Sequence, residues 1–129
     1  MKNLLLYFVL ATVFLGTFAV SSSCGNRRAA QGADTLKVNT KELAADVMGF
    51  NGTTPVEISI CEGVITEIKA LPNQEGPRYL QRALESGLLD RFVGKTPEEA
   101  RALKVDAVTG ATYTSTALIE NIRRGLQDQ

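Results

Sequence analysis

The sequence predicts a small, single α+β domain: an antiparallel sheet that includes a β-hairpin, with helices packed on it. Three observations carry this. Two β-type runs, Val56 to Cys61 and Ile65 to Leu71, lie in tandem with Glu62-Gly63 between them. Several short stretches have apolar residues at helical spacing, the clearest being Leu118, Ile119, Ile122 and Leu126. The chain has 129 residues, 44% of them apolar, which suits one ordinary core and gives no sign of wholesale disorder. No fixed-period repeat is visible. The order read along the chain is helix, hairpin, helix, helix, short strand, loop, helix.

Each element has a local reason. Asn39, with Glu42 at the reciprocal position, has the form of a helix start. Leu43, Ala44, Val47 and Met48 would then form one face of a short helix, with Gly49 as its stop. Phe50 to Pro55 is turn material. In the first β-type run Val56, Ile58 and Ile60 alternate with Glu57 and Ser59, so one face is buried. A plain two-residue loop would set Ile58 against Glu67 and Val56 against Lys69, placing charges on the apolar face. One more residue pairs Ile60 with Thr66, Ile58 with Ile68 and Val56 with Ala70, so a three-residue loop or a bulge is expected. Leu71 to Pro77 breaks regularity. Tyr79, Leu80, Ala83 and Leu84 make a helical face between Pro77 and Gly87. Thr96-Pro97-Glu98-Glu99 combines a cap, a first-turn proline and a reciprocal glutamate, for a helix ending near Leu103. Lys104 to Val108 is expected as a short strand.

Composition narrows the chemistry. Histidine is absent, which removes His triads, His acid–base work and His metal sites. The two cysteines, Cys24 and Cys61, form no Cys-x-x-Cys pair. The 14 basic and 14 acidic residues are scattered, and no basic patch with interleaved aromatics occurs, so nucleic acid is not an expected partner.

The N-terminus has the form of an export signal. Lys2 precedes the apolar run Leu4 to Val20, and Ser21-Ser22-Ser23-Cys24-Gly25 follows. Residues 1–23 are expected as a signal peptide and 24–36 as a tether, with the folded domain over 37–129. The segment resembles a relaxed lipobox, in which Cys24 would be the acylated residue and Ser21 stands where Leu is usual. Lipidation of Cys24 would leave Cys61 as a lone thiol. The alternative is an uncleaved single N-terminal transmembrane anchor, Leu4–Val20 being at the short end of what spans a bilayer; plain secretion is a third possibility. All three place the domain on the extracytoplasmic side of a bacterial membrane.

The stretch Asp106-Ala107-Val108-Thr109-Gly110-Ala111-Thr112-Tyr113-Thr114-Ser115 runs directly into the last helical pattern. A loop of small and hydroxyl residues at a helix start presents unpaired N–H groups and a dipole's positive end, a natural seat for phosphate. Thr114, Ser115 or Thr116 could equally be plain N-caps, with Gly110 only making the turn.

Asp106-x-x-Thr109-Gly110-Ala111-Thr112, followed by Thr114-Ser115, closely resembles the signature of the FMN-binding domain family, whose covalent-FMN members occur in the Na+-translocating NADH:quinone reductase and the Rnf complex. The resemblance covers roughly Gly49 to Leu126. It implies FMN joined to Thr112 through a phosphoester bond by a separate flavin transferase that uses FAD and magnesium. Asp106, Thr109, Gly110 and Ala111 would be read by that enzyme. Backbone N–H groups, with the hydroxyls of Thr114 and Ser115, would offset the phosphate charge, and Tyr113 belongs to the same site. Glu75 is a candidate for the family's loop glutamate near the flavin, or else a solvated loop carboxylate. Tyr79 or Phe92 could pack on the isoalloxazine ring, or simply in the core. No metal ligands are expected.

The implied function is an extracytoplasmic electron carrier working with membrane redox partners, rather than a stand-alone enzyme. A lipoprotein module that binds FMN or a similar phosphorylated ligand non-covalently is the alternative. A catalytic reading lacks support, because the chain has no nicotinamide fingerprint.

Overall fold

The computed structural model describes residues 34–129. The signal peptide, Cys24 and most of the tether lie outside these residues. Strands β1 (Thr35–Asn39), β2 (Val56–Cys61) and β3 (Val64–Ala70) form one antiparallel sheet in the order β1-β2-β3. Helices α1 (Pro77–Glu85), α2 (Pro97–Ala102) and α3 (Thr112–Gly125) follow, with a single 3₁₀ turn at Leu89–Arg91. This is the expected α+β architecture. Among the described residues no helix is long and apolar enough to cross a membrane.

The hairpin joins both devices that the sequence offers for its register. Val56 faces Ala70 and Ile58 faces Ile68, as expected, but Ile60 faces Ile65 and Cys61 faces Val64. The register shifts between Ser59 and Ile60, and Thr66 is the extra residue there. Its hydroxyl donates to the Ser59 carbonyl at 3.1 Å. The turn itself is a tight two-residue one, with Glu62 at φ 52° and Gly63 at φ 76°, the left-handed pair that matches strand twist. The bulge thus corrects the alternation, and Ile58, Ile60, Ile65 and Ile68 all become buried.

Helix α3 lies on this sheet with Ala117, Leu118, Ile119 and Ile122 buried and Leu126 sealed at its end. Gly125 permits the closest approach, because a Cβ there would lie 2.7 Å from Thr40 Cγ2 and 3.0 Å from Ile58 Cδ1. A buried polar chain pins the same interface. Thr40 Oγ1 donates to Asn121 Oδ1 at 2.8 Å and accepts from the Val56 N–H at 2.9 Å. Asn121 Nδ2 donates to the Ala117 carbonyl at 2.9 Å. Each group is satisfied, so its burial costs little. Phe92, Leu88, Leu89, Ala83 and Ala100 complete the core. Both flanking helices start as read: Pro77 opens α1, and Thr96 and Glu99 form a full capping box on α2.

Four expectations are corrected. Residues 41–46 form turns, not a helix. Asn39 ends β1, and its side chain accepts from the Lys41 N–H at 2.9 Å. Only Ala44 of the proposed apolar face is buried, while Leu43 and Met48 stay exposed, so a helix would gain too little there. Thr35 and Leu36, assigned to the tether, belong to β1. Lys104–Val108 forms no strand. Side chains hold its two ends instead: Arg123 Nη2 donates to the carbonyl of the preceding Leu103 at 3.3 Å, and the Val108 N–H donates to Ser115 Oγ at 2.9 Å. Cys61 is buried and disulfide-bonded, so it is not the lone thiol expected.

Because the α3–sheet contact leaves no room at position 125, Gly125→Val should destabilise the domain by about 1–3 kcal/mol. Urea unfolding would show this as a lower midpoint with an unchanged slope.

Candidate functional site

A cleft of about 190 Å³ opens where loop 48–53, α1 and the start of α3 meet, lined by Phe50, Tyr79, Gly110, Ala111, Thr112, Tyr113 and Thr114. The sequence motif therefore supplies most of the lining. A larger depression, about 480 Å³, runs along β1 and the turn after it and contains none of the motif residues.

The motif loop is held from below. The Ala111 N–H donates to the Val108 carbonyl at 2.9 Å, closing a turn in which Gly110 takes φ 80°. Ser115 Oγ sits under that turn. It donates toward the Ala111 carbonyl at 2.8 Å and the Thr112 carbonyl at 3.1 Å, and accepts from Val108. Ser115 is fully buried and does not line the cleft. Its hydroxyl is committed to the loop, so the expected phosphate contact from that group is replaced by a structural one.

Helix α3 starts earlier than the cap residues suggested. Thr112 is its first residue, Ala111 holds the cap position, and no side chain caps it. The N–H groups of the first turn therefore have no side-chain acceptor, which leaves the helix's positive end to an outside anion. Thr112 is exposed at this point, as are Tyr113 and Thr109. Asp106 is exposed too and lies outside the lining.

Glu75 explains how the cleft's two sides stay together. Its carboxylate is buried, 6% exposed, so it is not the solvated loop group that was its alternative reading. Oε1 accepts from the N–H groups of Asn51 at 2.7 Å and Gly52 at 3.0 Å, and Oε2 accepts from the Thr114 hydroxyl. A Cβ at Gly49 would lie 2.7 Å from Oε1, so only glycine lets the loop wrap the carboxylate this closely. Glu75 does not line the cleft; it joins loop 48–53 to the first turn of α3. Burial pushes its carboxyl up, but the Thr114 hydroxyl and the N–H groups of Asn51, Phe50 and Gly52 outweigh this and hold it below its ordinary value. Thr114 thereby spends its hydroxyl on Glu75, and only its surface contributes to the lining.

The loop so held presents Phe50. Its ring centroid is 5.5 Å from that of Tyr79 and 6.3 Å from that of Tyr113, tilted in both cases. Phe50 is 60% exposed and Tyr113 69% exposed, a costly arrangement for two large rings in the absence of a partner. Phe92 is fully buried in the core and takes no part, whereas Tyr79 stands at the cleft. Phe50 escaped sequence reasoning because it sits in turn-forming residues with no period. Its one signal is an aromatic side chain just before Asn51-Gly52.

Comparison with known proteins identifies the same region. The model of the FMN-binding domain family matches residues 49–127, from the loop that wraps Glu75 through α3. No curated protein and no solved structure matches the chain.

The Glu75 carboxyl is held below its ordinary value, so its stabilising contribution is complete above the unfolded-state value of 4.5 and is lost as pH falls through the folded one. Glu75→Gln should cost about 2 kcal/mol at pH 7. In urea unfolding across a pH series, the gap to the wild type should close progressively below that value. A gap that stays constant with pH would mean that the charge contributes nothing.

Proposed function

This chain belongs to the FMN-binding domain family, and we propose that it is an extracytoplasmic electron carrier with FMN joined to Thr112 through a phosphoester. The observation that carries this reading is the position of Thr112: an exposed hydroxyl on the first residue of an uncapped helix, at the rim of an aromatic-lined cleft. The residues present fit the group. Open N–H donors suit a phosphate, and Phe50, Tyr79 and Tyr113 offer flat apolar surface to a ring system. The cleft is smaller than the roughly 300–1,000 Å³ of pockets that enclose a ligand. A ring seated here would keep one side open to a partner protein.

The chain does not activate its own acceptor. It has no histidine, and Asp106, the acid of the motif, does not line the cleft. A separate flavin transferase, using FAD and magnesium, would supply the base. The Thr112 oxygen would attack the phosphorus on the FMN side of the FAD pyrophosphate, the bond to the AMP phosphate would break, and AMP would leave. The threonine proton passes to the transferase. Exposure of Asp106, Thr109 and Gly110 leaves the motif open for that enzyme to read. When bound, FMN supplies one- or two-electron transfer, and the protein supplies position and tuning.

Attachment at the membrane follows from Cys24, as a lipid anchor that would place the domain beside membrane redox partners. The sequence contains only Cys24 and Cys61. Because Cys61 is disulfide-bonded, a lipid on Cys24 requires that this bond run to a second chain or be opened before acylation; within one chain the two states are exclusive. Either one belongs outside the cytoplasm.

Two outcomes are expected. The mature protein, made with export and an active flavin transferase, should gain the mass of one FMN less one water, mapped by fragmentation to Thr112. Thr112→Ala should fold normally and gain none. Colour that acid or denaturant removes completely would instead mark reversible FMN binding. In the same mass spectrum, acyl chains on Cys24 should appear in membrane-purified protein; a loss of two hydrogens that reductant restores would assign Cys24 to a disulfide.

A further inference from the structure

Helix α1 places one side chain against the motif that the readings above leave without a role. Arg82 lies across Gly110: a Cβ at that glycine would fall onto Arg82 Nη1, and would lie 3.2 Å from Cζ. The guanidinium thus occupies the space beside the backbone of a cleft-lining residue, two positions before Thr112. Among the described residues it has no carboxylate partner; the ion pairs present involve Lys37, Lys69 and Arg124. The two arginines of α3 are occupied. Arg124 bonds Asp46 and Glu120, and Arg123 donates to a backbone carbonyl. Arg82 is exposed, so no need for packing explains where it rests.

We propose that Arg82 is a phosphate-positioning residue, one that holds the FMN phosphate at the start of α3 while the bond to Thr112 forms and after it has formed. This rests on the reading of Thr112 given above. The chemistry is specific. A guanidinium donates to phosphate oxygens in a planar fork, and such charge-assisted bonds are about twice as strong as neutral ones. Here it adds a full positive charge beside the open N–H groups of the first turn, which bring only a partial one. The same contact explains the glycine. Gly110 serves the positive φ of the turn, and its bare Cα leaves the guanidinium room to lie against the loop, where a side chain would displace it.

The ligand implied is a phosphate ester rather than the isoalloxazine ring, and the test uses that difference. Three variants are compared: Arg82→Gln, Arg82→Lys, and Arg78→Gln as a control. Arg78 lies on the same helix one turn earlier and carries the same charge. Reversible binding of FMN and of riboflavin to unmodified protein is followed by flavin fluorescence, and the initial rate of covalent incorporation is followed with transferase, FAD and magnesium. Arg82→Gln should weaken FMN binding and slow incorporation by about tenfold, the order expected for one charge-assisted bond. Riboflavin binding, which lacks the phosphate, should change by less than about twofold. Arg82→Lys should recover part of the loss, and Arg78→Gln should behave like the wild type.

Equal losses for FMN and riboflavin would overturn the proposal, as would equal effects of Arg82→Gln and Arg78→Gln. If the wild type binds FMN reversibly but gains none covalently, the Thr112 reading fails and the FMN-to-riboflavin comparison still decides Arg82. If the wild type neither binds nor incorporates FMN, both fall together.

Discussion

The site depends on one buried carboxylate. Glu75 sits in an irregular loop, yet its two oxygens tie together segments that come from far apart in the chain. One accepts from the backbone of loop 48–53, the other from the hydroxyl of Thr114 on α3. An isolated buried carboxylate would be strongly disfavoured. This one persists because two backbone N–H groups and the Thr114 hydroxyl donate to it and hold its carboxyl below the ordinary value despite the burial. The consequence is geometric. Phe50 is carried on the wrapped loop, Thr112 on the helix start, and the cleft between them exists because Glu75 joins the two.

The hydroxyls of the motif divide the work by burial. Ser115 and Thr114 are inside and spend their bonding on the protein itself, Ser115 on the motif loop and Thr114 on Glu75. Thr112 is outside, exposed on the first residue of α3. The motif's four Thr and Ser hydroxyl residues thus include two buried ones bonded within the protein and two exposed ones, Thr109 and Thr112. The helix start then has no side-chain cap of its own, which is unfavourable for the helix in isolation and favourable for a site that receives an anion. Packing of α3 against the sheet, through Gly125 and the Thr40–Asn121 bonds, holds that uncapped end in place.

Legibility in the sequence followed the range of the interactions. The capping box at Thr96 and Glu99, the proline opening α1 and the apolar face of α3 all depend on residues within a turn or two, and each formed where expected. The hairpin register was readable because alternation penalises charges on a buried face, though the tight turn and the bulge at Thr66 had to act together. Where local preference was weak, tertiary contact prevailed. Asn39 to Met48 had a cap and a plausible face, but Asn39 was taken into β1 and only Ala44 found a core to enter. Lys104 to Val108 was extended in character, yet side chains rather than a neighbouring strand hold it, at the preceding Leu103 carbonyl and at the Val108 N–H.

The sequence by itself determined the α+β class, the starts of α1 and α2, the apolar face of α3 and the motif that leads to FMN, because each is set by neighbours along the chain or by a fixed run of residue types. Only the tertiary structure decided that Glu75 braces the cleft instead of lining it, that Phe50 stands beside Tyr79 and Tyr113, and that Arg82 rests on Gly110. Those contacts join residues 23 to 63 positions apart. No local pattern encodes a partner at that distance; it is selected when α3 docks on the sheet and brings the loops at its N-terminal end together.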